Sequence, residues 1–237
     1  MQATKTAIKI HKWLALIIGV HMELWFASGL FMVHFPIEEV RGEDQVRDAP
    51  VATFSPAAVA RRVGEVVDPD ARGASRIEVR TVLGRPLLLV ERPQGRPSLF
   101  DATTGELVSP IPASMAVEIA WADYSGSGRP QKAVLVKEES TEYRGALPAW
   151  RVSFDDERQT SSYVAADLAK VTARRTNLWR IYDFMWGLHI MDWKHHQDFN
   201  SWWLWAVTAA ALLAALAGMV MLPNSFRKLW RRKPKPD

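Results

Sequence analysis

The sequence predicts a membrane protein of the α+β class, with two transmembrane helices enclosing an exported domain of two small helix-plus-antiparallel-sheet units. Three observations predict it. Residues 13–35 and 202–222 are apolar at membrane-spanning length, each covering roughly 30 Å at ~1.5 Å per residue. Lys5, Lys9 and Lys12 precede the first run, and Arg227, Lys228, Arg231, Arg232, Lys233 and Lys235 follow the second. Basic flanks stay on the cytoplasmic side, so both termini point inward and the middle is exported. Between the spans, one order of elements occurs twice: a helix, then a strand meander.

The expected boundaries are a cytoplasmic tail at 1–12, a first span at 13–35, an exported domain at 36–176, an aromatic interfacial helix at 177–198, a second span at 199–222 and a basic tail at 223–237. The first span is too long for a cleavable signal, and Val33-His34-Phe35-Pro36 offers no small-x-small cleavage site. It reads as a retained anchor. Residues 36–201 hold 21 Lys+Arg against 24 Asp+Glu, so the formal charge of +4 comes from the tails. The charge therefore suits orientation and anionic lipid, and no nucleic-acid surface is expected. The absence of cysteine excludes disulfides, thiolate metal sites, covalent c-type haem attachment and cysteine catalysis.

Within the exported domain, Pro36, Pro50 and the charged run from Glu38 to Asp44 predict a loop leaving the membrane. The first unit spans about 53–110. Ser55-Pro56 starts a helix that Ala57, Val59, Ala60, Val63, Val66 and Val67 continue at helical spacing. Residues 76–83 and 85–91 read as a hairpin about Gly84, and residues 98–101 and 106–108 flank the turn Ala102-Thr103-Thr104-Gly105. The second unit spans about 111–173, with a helix at 112–121 and strands at 132–137, 149–154, 161–165 and 170–172. A shift of 63 residues places Phe100 on Tyr163, Ala102 on Ala165 and Val108 on Val171, and a shift of 62 places Pro86 on Pro148 and Val90 on Val152. This points to two related units. Trp179, Tyr182, Trp186 and Trp193, with Trp202, Trp203 and Trp205, form an aromatic belt suited to a lipid–water boundary.

Three stretches carry a resemblance. His11-Lys12-Trp13-Leu14-Ala15-Leu16, Leu24-Trp25-Phe26-Ala27-Ser28-Gly29-Leu30-Phe31-Met32 and Pro36-Ile37-Glu38-Glu39-Val40-Arg41-Gly42 together resemble the first span of PepSY-associated transmembrane proteins. Asp101-Ala102-Thr103-Thr104-Gly105-Glu106 is similar to the turn of a PepSY repeat, and Trp186-Gly187-Leu188-His189-Ile190-Met191-Asp192-Trp193 to the approach to a later span. The second unit has Asp167-Leu168-Ala169 where the glycine turn stands in the first, and His21 stands where relatives carry an uncharged residue. The resemblance implies a bacterial inner-membrane protein with periplasmic PepSY units. Larger members of the family include haem-containing reductases of iron–siderophore complexes.

Five of the six histidines lie at or inside the expected membrane. A b-type haem needs two axial imidazoles at one depth, and His34 and His189 meet that condition, with His21 a weaker ligand. If the interfacial helix runs unbroken, His189, Asp192 and His196 share a face suited to a divalent transition metal. Ala206, Ala210, Ala214 and Gly218 form a ladder for close helix packing, matched by Ala15 and Gly19 on the first span. Glu23, Ala27, Leu30 and His34 share one helix face, where Glu23 reads as a contact between helices. Gly126-Ser127-Gly128 reads as a turn and Asp155-Asp156 as a solvated hairpin tip. With no phosphate loop, nucleophile elbow or HExxH present, the expectation is a non-enzymatic accessory or regulatory subunit needing no cofactor. Its partners would be the bilayer and a protein or a second copy bound through the spans. The alternative is a haem-binding electron-transfer component of a periplasm-facing reductase that acts on ferric chelates.

Overall fold

The computed structural model describes residues 2–48, 53–67 and 73–230; within the terminal helices, side chains are described at 13, 15–34 and 202–216. The side chains of the basic tails and residues 49–52 and 68–72 lie outside that set. Helix α1 (Gln2–His34) is followed by the short α2 (Ile37–Val40), a 3-10 turn at Glu43–Gln45 and α3 (Pro56–Val67). Strands β1 (Arg76–Val82), β2 (Arg85–Glu91) and β3 (Ser98–Asp101) form an antiparallel sheet. Helix α4 (Ala113–Asp123) then leads into a second antiparallel sheet of β4 (Pro130–Val136), β5 (Ala149–Phe154), β6 (Ser161–Ala165) and β7 (Lys170–Arg175). Helices α5 (Asn177–His189) and α6 (Trp202–Trp230) complete the order. The chain divides into two compact units: Phe35–Ile181, and the two ends, Met1–His34 with Tyr182–Asp237.

In the α+β unit, β2 explains how the layers stack. Leu87, Leu88, Leu89 and Val90 are all buried. Leu88 and Val90 meet Val59, Val63 and Val66 of α3, while Leu87 and Leu89 join Ile119 and Ala120 of α4 and Val152, Phe154 and Val164 of the second sheet. Successive strand residues point to opposite faces, so an unbroken apolar run is what burial on both sides requires. The second sheet's other face is covered by the loop before β5. There Tyr143 stacks on Tyr163 at 4.4 Å and 4°, and its hydroxyl donates to Ala146 O at 2.9 Å.

The repeated order is present in both halves. Ala102 N–H donates to Pro86 O at 3.0 Å, and Ala166 N–H donates to Pro148 O at 2.9 Å, so each unit ties the turn after one strand to a proline at the start of its neighbour. Gly105 turns the first with φ 80°, and Ala169 turns the second with φ 45°. The missing glycine therefore changes the residue and not the turn. The expected strand at 106–108 is reduced to a single bridge between Phe100 and Leu107. Ser109 Oγ accepts from Leu99 N–H at 2.8 Å, and Pro110 follows, so the chain leaves the sheet there.

Asp156 departs from the expected solvated tip. Its Oδ2 accepts from the Tyr124 hydroxyl at 2.8 Å, and its Oδ1 accepts from Thr160 N–H at 2.7 Å, joining the end of α4 to the β5–β6 turn. Gly126 is needed for this, because a Cβ there would lie 2.2 Å from the Tyr124 hydroxyl oxygen.

In the helical unit, Ala15–His34 is a helix long and apolar enough to cross a membrane by length and composition. The described apolar stretch of α6, Trp202–Leu216, is shorter.

Candidate functional site

The two faces of α1 differ. Ile18, His21, Met22, Trp25, Gly29 and Met32 are half-buried and Ser28 is fully buried, following the three-to-four residue spacing of one packed face. His21, Met22 and Trp25 lie with Met191 against Val207, Thr208 and Ala211 of α6. Ala206, Ala210 and Ala214 are half-buried beside that line, and Gly218 falls beyond the described side chains. Ala15 and Gly19 are exposed, and a Cβ on Gly19 would meet nothing within 4 Å. The short ladder of α1 therefore does not meet the described side chains of α6. Glu23, Ala27, Leu30 and His34 are exposed on the other face, as their spacing predicts, and no described residue forms a hydrogen bond or ion pair with Glu23.

His189 ends α5 against the packed face of α1. Its Nδ1 lies 3.1 Å from Ser28 Oγ, and its ring lies 5.4 Å from that of Trp25. Ser28 has one hydroxyl proton, which goes to Trp25 O at 3.0 Å; the His189 Nδ1–H then donates to Ser28 Oγ, and Nε2 carries the lone pair. Burial pushes the His189 imidazole below its usual pKa, which favours this neutral form. The ring lies close along α1, since a Cβ on Gly29 would lie 3.4 Å from His189 Cε1.

These positions bear on the haem expectation. Ser28 and His34 are six residues apart, so His34 lies about 120° around α1 and about 9 Å farther along it. His189 packs on Ser28, Trp25 and Gly29 on that face. The structure thus sets His34 on a different face of α1 from the one His189 packs on, and farther along the helix. His21 lies on the α6 side, two turns from Ser28.

The metal expectation required an unbroken helix, and α5 stops at His189. Met191 and His196 take positive φ values of 57° and 54° in a compact turn. The Asp192 carboxylate holds that turn by accepting from the backbone N–H of Gln197 and Asp198 on one oxygen and of Lys194 and His195 on the other. Those donors, Gln197 first, keep its carboxyl well below the usual carboxylate range. His196 faces Asp183 instead, with Nδ1 2.6 Å from Oδ2. Among the described residues, no group of three His, Asp or Glu side chains converges in a way that could hold a metal ion.

Sequence reasoning missed Ser28, Asp183 and Gly187. Gly187 allows His196 to lie on α5, because a Cβ there would lie 2.4 Å from His196 Cδ2. Trp186 Nε1–H donates to His196 O at 3.2 Å from the same turn. A glycine inside an aromatic helix was the available signal. Chemically, the site is a locked helix end, with the buried Trp25 indole N–H unpaired among the described residues and the Glu23 carboxyl group exposed on the far face of α1. Comparison with family models, curated proteins and solved structures finds no match for the chain.

Proposed function

We propose that the chain is a non-enzymatic accessory subunit of a bacterial inner-membrane assembly, with α1 and α6 crossing the bilayer, both termini cytoplasmic and the α+β unit periplasmic. The observation that carries this reading is the exposed face of α1. It holds Glu23 without a partner among the described residues, near the middle of Ala15–His34. A charged side chain at the bilayer centre costs about 2.5–3.5 kcal/mol by insertion measurements, so such residues face another helix rather than lipid. The exposed Trp202, Trp203 and Trp205 suit the headgroup level. The repeated helix and meander support the PepSY-like reading of the exported units, which present a surface to a protein partner.

The test is purification of the tagged chain from native membranes in mild detergent, alongside Glu23→Leu. The expected result is a particle larger than one chain, or a stoichiometric partner, that Glu23→Leu releases. A strictly monomeric particle without a partner overturns the reading.

A further inference from the structure

We infer that the α+β unit carries a binding cavity for the C-terminal end of a peptide whose last residue is apolar. The cavity, about 200 Å³, lies between the tip of the first sheet and the start of β7, with α4 as its floor. Val82, Leu83, Ile119 and Val171 give it apolar walls, and its volume suits one large side chain. Two cations, Arg47 and Lys170, also line it, and among the described residues neither has a carboxylate partner. The one acid at the rim, Asp123, is already engaged by the Arg174 guanidinium through both of its oxygens. The Arg47 N–H donates to Asp123 O at 2.8 Å, and its guanidinium lies 5.3 Å from the Trp121 ring centroid, so it is held at the rim. The result is an apolar hole beneath two positive charges that no described carboxylate pairs with. It matches an apolar body with a carboxylate next to it.

Two features favour a peptide over a free acyl carboxylate. The cavity is bordered by Thr81 and Val82 of β1 and by Lys170 and Val171 of β7, each the outer strand of its sheet. Outer strands leave backbone N–H and C=O groups that an extended chain can pair with. A long acyl chain, in contrast, exceeds the volume.

This inference extends the reading of the exported unit as a partner-binding module, but its test needs neither membrane nor partner. The full chain in detergent is titrated calorimetrically with N-acetyl-alanyl-leucine, its C-terminal amide and octanoate. Saturable binding of the acid is expected, with at least tenfold weaker binding of the amide and of octanoate. The double variant R47Q/K170Q should bind the acid as weakly as the amide while keeping its melting temperature. Equal binding of acid and amide, an unchanged double variant, tighter binding of octanoate, or no saturable binding overturns the inference. Copurification of the assembly is read separately, so its loss and the loss of peptide binding are distinguishable.

Discussion

Gly187→Ala tests the locked end of α5 through a reversal of sign. In an ordinary helix interior, alanine is better than glycine by about 0.8–1 kcal/mol. Here the added Cβ would lie 2.4 Å from His196 Cδ2, 2.7 Å from Nε2 and 2.8 Å from Cγ, so the imidazole has to move off the helix. That movement costs the 2.6 Å contact with Asp183 and strains the 3.2 Å bond from Trp186 to His196 O. A hydrogen bond to a charged group contributes about 1.5–3 kcal/mol, so the net effect is a loss of about 1–2 kcal/mol. It should appear as faster hydrogen exchange across residues 190–200 and a melting temperature lower by roughly 2–8 °C in detergent. In a His196→Ala background the ring is absent, and Gly187→Ala should then stabilise by up to about 1 kcal/mol. A stabilising effect in the unaltered chain, or an equal cost in both backgrounds, would refute the account.

Gly42→Ala should destabilise by about 1–2 kcal/mol, because Gly42 has φ 67° and its Cβ would lie 3.3 Å from Arg174 Cβ. Gly42→Asn, which tolerates that conformation, should cost less in the same melt; equal costs would place the effect elsewhere. Burial pushes the Tyr163 hydroxyl up to about 12, the nearby Glu142 carboxylate adding to the rise. Its folded pKa exceeds the ordinary value near 10, so the stability tied to the neutral phenol is fully present below pH 10 and is lost between pH 10 and 12. The loss is at most about 3 kcal/mol, and Tyr163→Phe should flatten denaturant midpoints measured across that window; parallel curves would reject it.

Much of the α+β unit is legible because its signals are local. The run Leu87-Leu88-Leu89-Val90 marks a strand before any partner is known, and the Leu83-Gly84 pair marks the hairpin, where both residues have positive φ. What covers the two faces of β2 is not legible, because α3 and α4 meet it only after the chain has folded back. The metal reading went astray for a different reason. Residues 190–198 contain neither glycine nor proline, and the turn there depends on the Asp192 carboxylate capturing four backbone N–H groups. Capture of that kind competes with helix formation without leaving a strong mark in composition. The Asp183–His196 contact spans thirteen residues and exists only because that turn doubles the chain back on α5.

The polar residues of α1 sort by face, and that sorting is the strongest argument for an assembly. Ser28 is fully buried and satisfied within the chain by Trp25 O and His189 Nδ1. In lipid a polar group left unpaired costs several kcal/mol, so pairing Ser28 inside is what a spanning helix requires. Glu23 sits on the opposite face, where no described residue reaches it. The same physical rule applied to both residues gives different answers: Ser28 is paired by described residues of its own chain, and Glu23 is not. A helix serving only as an anchor would carry leucine or valine at position 23. On the proposed reading Glu23 meets a partner helix, so Glu23→Leu should release the assembly while the packing of Trp25, Ser28 and His189 stays intact.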